Sequence, residues 1–203
     1  NYLRETGTPV FTGGTITGAD TGVEVGGNYA SGFFDDITVT SPTGAGFDVI
    51  GSTTATVSNL TVAGGSYGIM TSSGATGTVD FVDVDISGTS SAGVYYIKDL
   101  SGDLTGSIGT SAGAGIKFGS ATSDEITLEG MNLATNAIGV ETAGSGALTF
   151  VDSTFANTKD AVISGSGTID FVEGTIDTST VEVTGTGILS RIRQLDLTVT
   201  ADS

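Results

Sequence analysis

Acidic side chains outnumber basic ones by 23 to 6 in this 203-residue chain, which has no histidine and no cysteine. Those absences close several chemistries at once. Ser-His-Asp and Cys-His nucleophile systems, histidine-ligated zinc, thiolate catalysis, iron–sulfur clusters and disulfides all need the missing residues. Carboxylate chemistry remains, with Asp80, Asp83, Asp85 and Asp103 as the candidate acids. Asp80 and Asp103 stand 23 residues apart, one period of a repeat that places them in one outward column of adjacent coils. At a coil spacing of about 4.8 Å, two carboxylates share a proton or hold a cation such as Ca²⁺, unless water solvates each singly. The expectation is no cofactor, with Ca²⁺ as the ion such a pair would hold. No catalytic residue is assigned, because the arginines (Arg4, Arg191 and Arg193) sit near the two ends of the sequence, far from these acids.

Two further groups of residues could recognise something. Met70, Tyr95 and Lys117 fall in the outward column Glu24, Asp48, Met70, Tyr95, Lys117, Glu141, Ile163, Glu182. An aromatic ring beside a cation and flanking acids suits a sugar ring or a neighbouring protein surface, and also suits a plain solvated face. Asn59-Leu60-Thr61 is the one N-glycosylation sequon, on an exposed turn. A net charge of -17 repels phosphate, and the bases Arg4, Lys98, Lys117, Lys159, Arg191 and Arg193 are too scattered for a basic stripe, so nucleic acid is excluded as a partner. That charge favours solubility, divalent cations or a salty exterior. No apolar run reaches the length of a membrane span.

The elements that position these residues are short strands in a repeat of about 23 residues. Apolar pairs five apart recur as Phe11/Ile16, Phe34/Val39, Val57/Val62, Phe81/Ile86, Leu128/Leu133, Phe150/Phe155, Phe171/Ile176 and Ile192/Leu197, with Leu104/Ile108 one residue shorter. A second series, out of phase, opens β-prone runs at Gly22-Val23, Gly46-Phe47, Gly68-Ile69, Gly93-Val94, Gly115-Ile116, Gly139-Val140, Ala161-Val162 and Thr180-Val181. Period-2 alternation broken by Gly, Ser and Thr turns predicts strands, and no window carries helical spacing with caps. Two positions into each apolar pair stand Gly13, Asp36, Asn59, Asp83, Gly106, Gly130, Asp152, Glu173 and Gln194. Most of these tolerate positive φ, so the column predicts a left-handed corner, with Glu173 and Gln194 the poor fits. The next residue (Ile37, Leu60, Val84, Met131, Leu195) points inward.

Stacked coils of this kind make an all-β, right-handed, single-stranded parallel β-helix over residues 1–203, about nine coils and about 43 Å long, with almost no helix. Segments such as FVDVDISG (81–88), LTFVDSTFANT (148–158) and AGVYYI (92–97) resemble the parallel β-helix repeats of the pectate-lyase-like superfamily. That resemblance implies the fold along nearly the whole chain. For function it implies a range that includes polysaccharide lyases, hydrolases and epimerases, phage tailspikes, adhesins and surface-layer proteins.

Short turns throughout favour a non-enzymatic structural protein, extracellular or at the cell surface, as a unit of a filament, surface layer or adhesin. A carbohydrate-binding or polysaccharide-cleaving β-helix is the alternative. Ice binding through threonine rows is disfavoured, because the outward columns mix Thr with acids and apolar residues. Stepping back one repeat from Gly22-Val23 puts Tyr2 and Leu3 in the place of a Gly-Val strand. The expectation is end-to-end self-association, Tyr2 and Leu3 completing a neighbour's last coil while Ile192 and Leu197 pack on its first. Excision from a longer solenoid is the competing account.

Overall fold

The computed structural model describes residues 8–26, 31–98 and 101–192, with the backbone of the strand Tyr2–Leu3. Gln194 and Leu197 lie outside the described residues, as do the side chains of Tyr2 and Leu3. Short alternating segments with small polar turns give strands that, among the described residues, all pair in parallel. Among the described residues, helix is confined to one 3₁₀ turn, Thr178–Thr180. The chain winds into a solenoid of about eight turns, close to the expected nine.

Three sheets run along it. The Gly-Val strands form a nine-stranded sheet from Tyr2–Leu3 through Val23–Val25 to Val181–Val183. The strands around the corner form an eight-stranded sheet that begins at Val10–Thr17 and ends at Thr154–Ala156. A four-stranded sheet of Glu125–Glu129, Ala147–Val151, Thr168–Val172 and Ile188–Ile192 takes over the pre-corner face in the later turns.

The corner is the feature most directly dictated by residue type. Asp36, Asn59, Asp83, Asp152 and Glu173 have φ between 48° and 60°, and Gly13, Gly106 and Gly130 in the same column are also positive. Ile37, Leu60, Val84 and Met131, one step on, are buried. Glycine in the Gly-Val strands answers a different need. A Cβ on Gly46 would lie 2.6 Å from both methyls of Val62 and 2.8 Å from the Gly68 carbonyl oxygen. The nine-stranded sheet approaches its neighbour too closely there for any side chain.

The apolar columns form the core: Phe34, Val57, Phe81, Leu104, Leu128, Phe150 and Phe171 are each at most 1% exposed. Three expectations need correction. Phe11 is 40% exposed, because Phe34 covers one face of its ring, at a centroid distance of 5.6 Å, and the other face looks out from the first turn. In the last turn the ladder pairs Phe171 with Arg191 and Val172 with Ile192. Arg191 therefore stands at the register position of the core column, where it is exposed, and Ile192, one place on, is 49% exposed. One turn earlier Val140 pairs with Ala161 and Glu141 with Val162, so Val162 holds the outward place expected of Ile163, and Ile163 is fully buried. Asp160 takes the glycine slot of that turn.

A buried carboxylate there requires partners, and it has them. Asp160 Oδ1 accepts the Asn157 backbone N–H at 3.0 Å, and Oδ2 accepts the Asp177 N–H at 2.8 Å. Asn157 Oδ1 accepts the Asn136 N–H, Asn136 Oδ1 accepts the Ser111 N–H, and the Ser111 and Thr89 hydroxyls share a bond of 2.7 Å. This polar file rises through successive turns with its buried groups satisfied.

Candidate functional site

The outward column of the nine-stranded sheet runs Glu24, Asp48, Met70, Tyr95, Lys117, Glu141 and Val162 by ladder register. Met70, Tyr95 and Lys117 are thus consecutive, as expected. Tyr95 stacks on Tyr67 with ring centroids 5.4 Å apart. Lys117 Nζ lies 6.0 Å from the Tyr95 ring centre and donates to Glu141 Oε1 at 2.9 Å. The result is an aromatic platform edged by one ion pair, a surface that offers flat apolar contact with hydrogen-bonding groups beside it. Tyr67 escaped the sequence reading because it stands in a neighbouring column, opposite Ala92, and reaches Tyr95 diagonally. A second ion pair, Lys159 with Glu182, lies further along the same face.

Asp48 is the titratable group that the sequence undervalued. It is only 6% exposed although it faces outward. Burial pushes its pKa up to about 6, the Ser72 hydroxyl pulls the other way, and the Glu24 charge raises it further. Ser72 Oγ donates to Asp48 Oδ1 at 3.3 Å. Three ladder steps, about 14 Å, separate Asp48 from Lys117, so these two do not form an acid–base pair within hydrogen-bond reach.

Asp80 and Asp103 are neighbours, as the repeat requires, since Phe81 pairs with Leu104. Asp80 Oδ1 accepts the Asp103 backbone N–H at 3.1 Å. One side of this pair opens onto an interruption. A bulge between Leu104 and Gly106 follows from the missing residue of that coil. The ladder on this face stops there and resumes with Glu125–Glu129. Two cavities of about 280 and 210 Å³ lie in the gap, lined by Asp103, Asp124, Glu125 and Glu129 with Ser101 and Thr127. Among the described residues, no three acids converge in a group able to hold a metal ion.

Asn59 is exposed at its corner, with φ of 52°. Its Nδ2, the atom to which a glycan would be joined, donates to Asp35 Oδ1 at 2.9 Å, and Ser58 Oγ donates to the same oxygen at 2.8 Å. These two bonds hold the Asp35 carboxyl below the usual range. At the first turn, Tyr2 pairs with Glu24 and Leu3 with Val25, the Gly-Val place expected for them.

Residues 2–176 match the family described as right handed beta helix region. The chain belongs to the right-handed β-helix family. No curated protein and no solved structure matches it. The matched stretch of β-helix ends at Ile176, next to Asp177, whose side chain accepts the Ser179 N–H and starts the 3₁₀ turn Thr178–Thr180. Among the described residues no helix is long and apolar enough to cross a membrane.

Proposed function

We infer that this β-helix is a non-enzymatic structural protein of the cell exterior, a unit of a filament, surface layer or adhesin that associates end to end. Parallel ladders give the solenoid a direction, so copies that add along its axis propagate instead of closing. The observation that carries the reading is the shortness of the connections: the stretch from Val172 to Val181, the 3₁₀ turn included, spans only residues 173–180. A loop-walled cleft needs longer ones. The acidic surface suits a salty exterior. Electron microscopy and sedimentation velocity of the purified chain test the reading, with rods that lengthen with concentration expected. A monodisperse monomer at high concentration refutes it.

A second reading, polysaccharide binding with or without cleavage, is favoured by the Tyr67–Tyr95 platform and its Lys117–Glu141 edge. Affinity electrophoresis in acidic polysaccharides, with and without Ca²⁺, tests it. Retardation lost in Tyr95→Ala supports binding, and turnover lost in Asp103→Ala displaces the structural reading.

A further inference from the structure

The aromatic platform of the nine-stranded sheet joins two phenols in contact with an unusual scarcity of competing oxidisable groups. Tyr67 and Tyr95 belong to successive turns, since Met70 pairs with Tyr95 and Tyr67 with Ala92. Their rings stack with centroids 5.4 Å apart and planes 29° apart, and both residues are half-buried. Lys117 comes from the following turn, 6.0 Å from the Tyr95 ring centre, and its ion pair with Glu141 holds it there. The Tyr95 ring therefore lies between Tyr67 on one side and Lys117 on the other. The chain has no Cys, Trp or His, the side chains that would compete for an oxidant, and only two Met, of which Met131 is buried. Tyr96 is buried as well, so among the described residues Tyr67 and Tyr95 are the phenols an oxidant in solution can reach.

We propose that Tyr67 and Tyr95 form an oxidative cross-linking site, which a peroxidase-type one-electron oxidant joins into a dityrosine that staples two turns of the solenoid together. Each phenol loses one electron and its hydroxyl proton, leaving a radical shared between the oxygen and the ring carbons adjacent to the C–O carbon. One such carbon of Tyr67 bonds to its counterpart on Tyr95. Both carbons then shed their hydrogens as protons while a proton returns to each oxygen, which restores two phenols. The pair has given up two electrons and two protons, and one hydrogen peroxide takes them up to become two waters. Ring contact makes coupling within the chain the favoured course, because the partner radical is already in place and a second chain must diffuse to it. Coupling turns the stacked rings edge to edge, a side-chain rotation that their half-exposed position permits. The product closes residues 67–95 into a covalent loop, which restricts the unfolded chain as a disulfide would in a protein that has cysteine.

The test treats the 203-residue chain with a haem peroxidase and small additions of hydrogen peroxide, over a range of chain concentrations. Dityrosine fluorescence, denaturing gels and mass spectrometry of proteolytic fragments read the result. The expected product is a single chain lighter by two hydrogen atoms, with the fragments bearing Tyr67 and Tyr95 joined. Its rate of formation per chain should not change with chain concentration, and it should melt at a higher temperature than the untreated chain. Tyr67→Phe and Tyr95→Phe each keep a ring in the stack, so the fold is retained, and each should lose the joined fragment. Tyr96→Phe should keep it. Joining that occurs only between chains, at a rate rising with their concentration, overturns the site, as does oxidation that leaves the two fragments separate. A joined chain that melts no higher than the untreated one overturns the staple. None of these outcomes depends on end-to-end association.

Discussion

Replacing Asp48 by asparagine isolates the cost of one buried carboxylate. In the folded chain its pKa lies at about 6, against 3.8 for an ordinary aspartate, with burial the main cause and the Glu24 charge adding to it. An acid whose pKa is raised by folding binds its proton more tightly in the native state. Below pH 3.8 both states are protonated and nothing is lost. Between pH 3.8 and 6 the unfolded chain ionises first, and native stability falls as pH rises; above 6 the loss is complete. A shift of that size corresponds to about 3 kcal/mol at neutral pH. Asparagine keeps the shape and still accepts from the Ser72 hydroxyl through its amide oxygen, but it never ionises. Urea denaturation of parent and variant from pH 3 to 8 should give equal stabilities at the acid end. The variant's advantage should grow through the window and level off near 3 kcal/mol above it. Glu24→Gln should reproduce a smaller part of the same trend. A parent–variant difference that does not change with pH, or a variant less stable at pH 7, would refute the assignment.

Phe150 is fully buried between Phe155 and Phe171, so Phe150→Ala should cost about 3–5 kcal/mol in denaturant titrations. Asp160→Ala leaves the N–H groups of Asn157 and Asp177 without their acceptor and should cost about 2–3 kcal/mol, with faster amide exchange at those two residues. Repulsion within a chain of net charge -17 should lift the melting temperature as salt is added, the larger part of the rise coming below about 0.15 M. A melting curve indifferent to salt counts against any energetic role for the acidic surface.

The corner column was legible because Asx and Gly residues advertise positive φ, and even the unpromising Glu173 obeys it at 60°. A second corner column was harder to see. Ser41, Thr110 and Thr135 have φ of 52°, 56° and 62°, and their side chains give no such signal. Hydroxyl bonding sustains part of it: Gly88 N–H donates to Thr110 Oγ1 and Thr110 N–H to Thr135 Oγ1. Register was read well where glycine marked the strand, and slipped where Asp160 and Arg191 stood in for the usual residue. The recognition face was half legible. Ladder spacing predicts neighbours within a column, whereas Tyr67 meets Tyr95 across columns. The burial of Asp48 depends on what surrounds it and has no signature in spacing.

The gap between Leu104 and Leu128 gives the rod a mechanical weak point. Elsewhere in the central turns, load along the axis is shared by ladders on three faces. At this step it passes through two, Ile116 with Val140 and Ile108 with Leu133. Under tension fewer hydrogen bonds carry the same force here, so each is strained more. Under bending, the side without a ladder, lined by Asp103, Asp124, Glu125 and Glu129, resists least. A rod of this chain should therefore kink and part at this step first, its shorter segments on either side still wound.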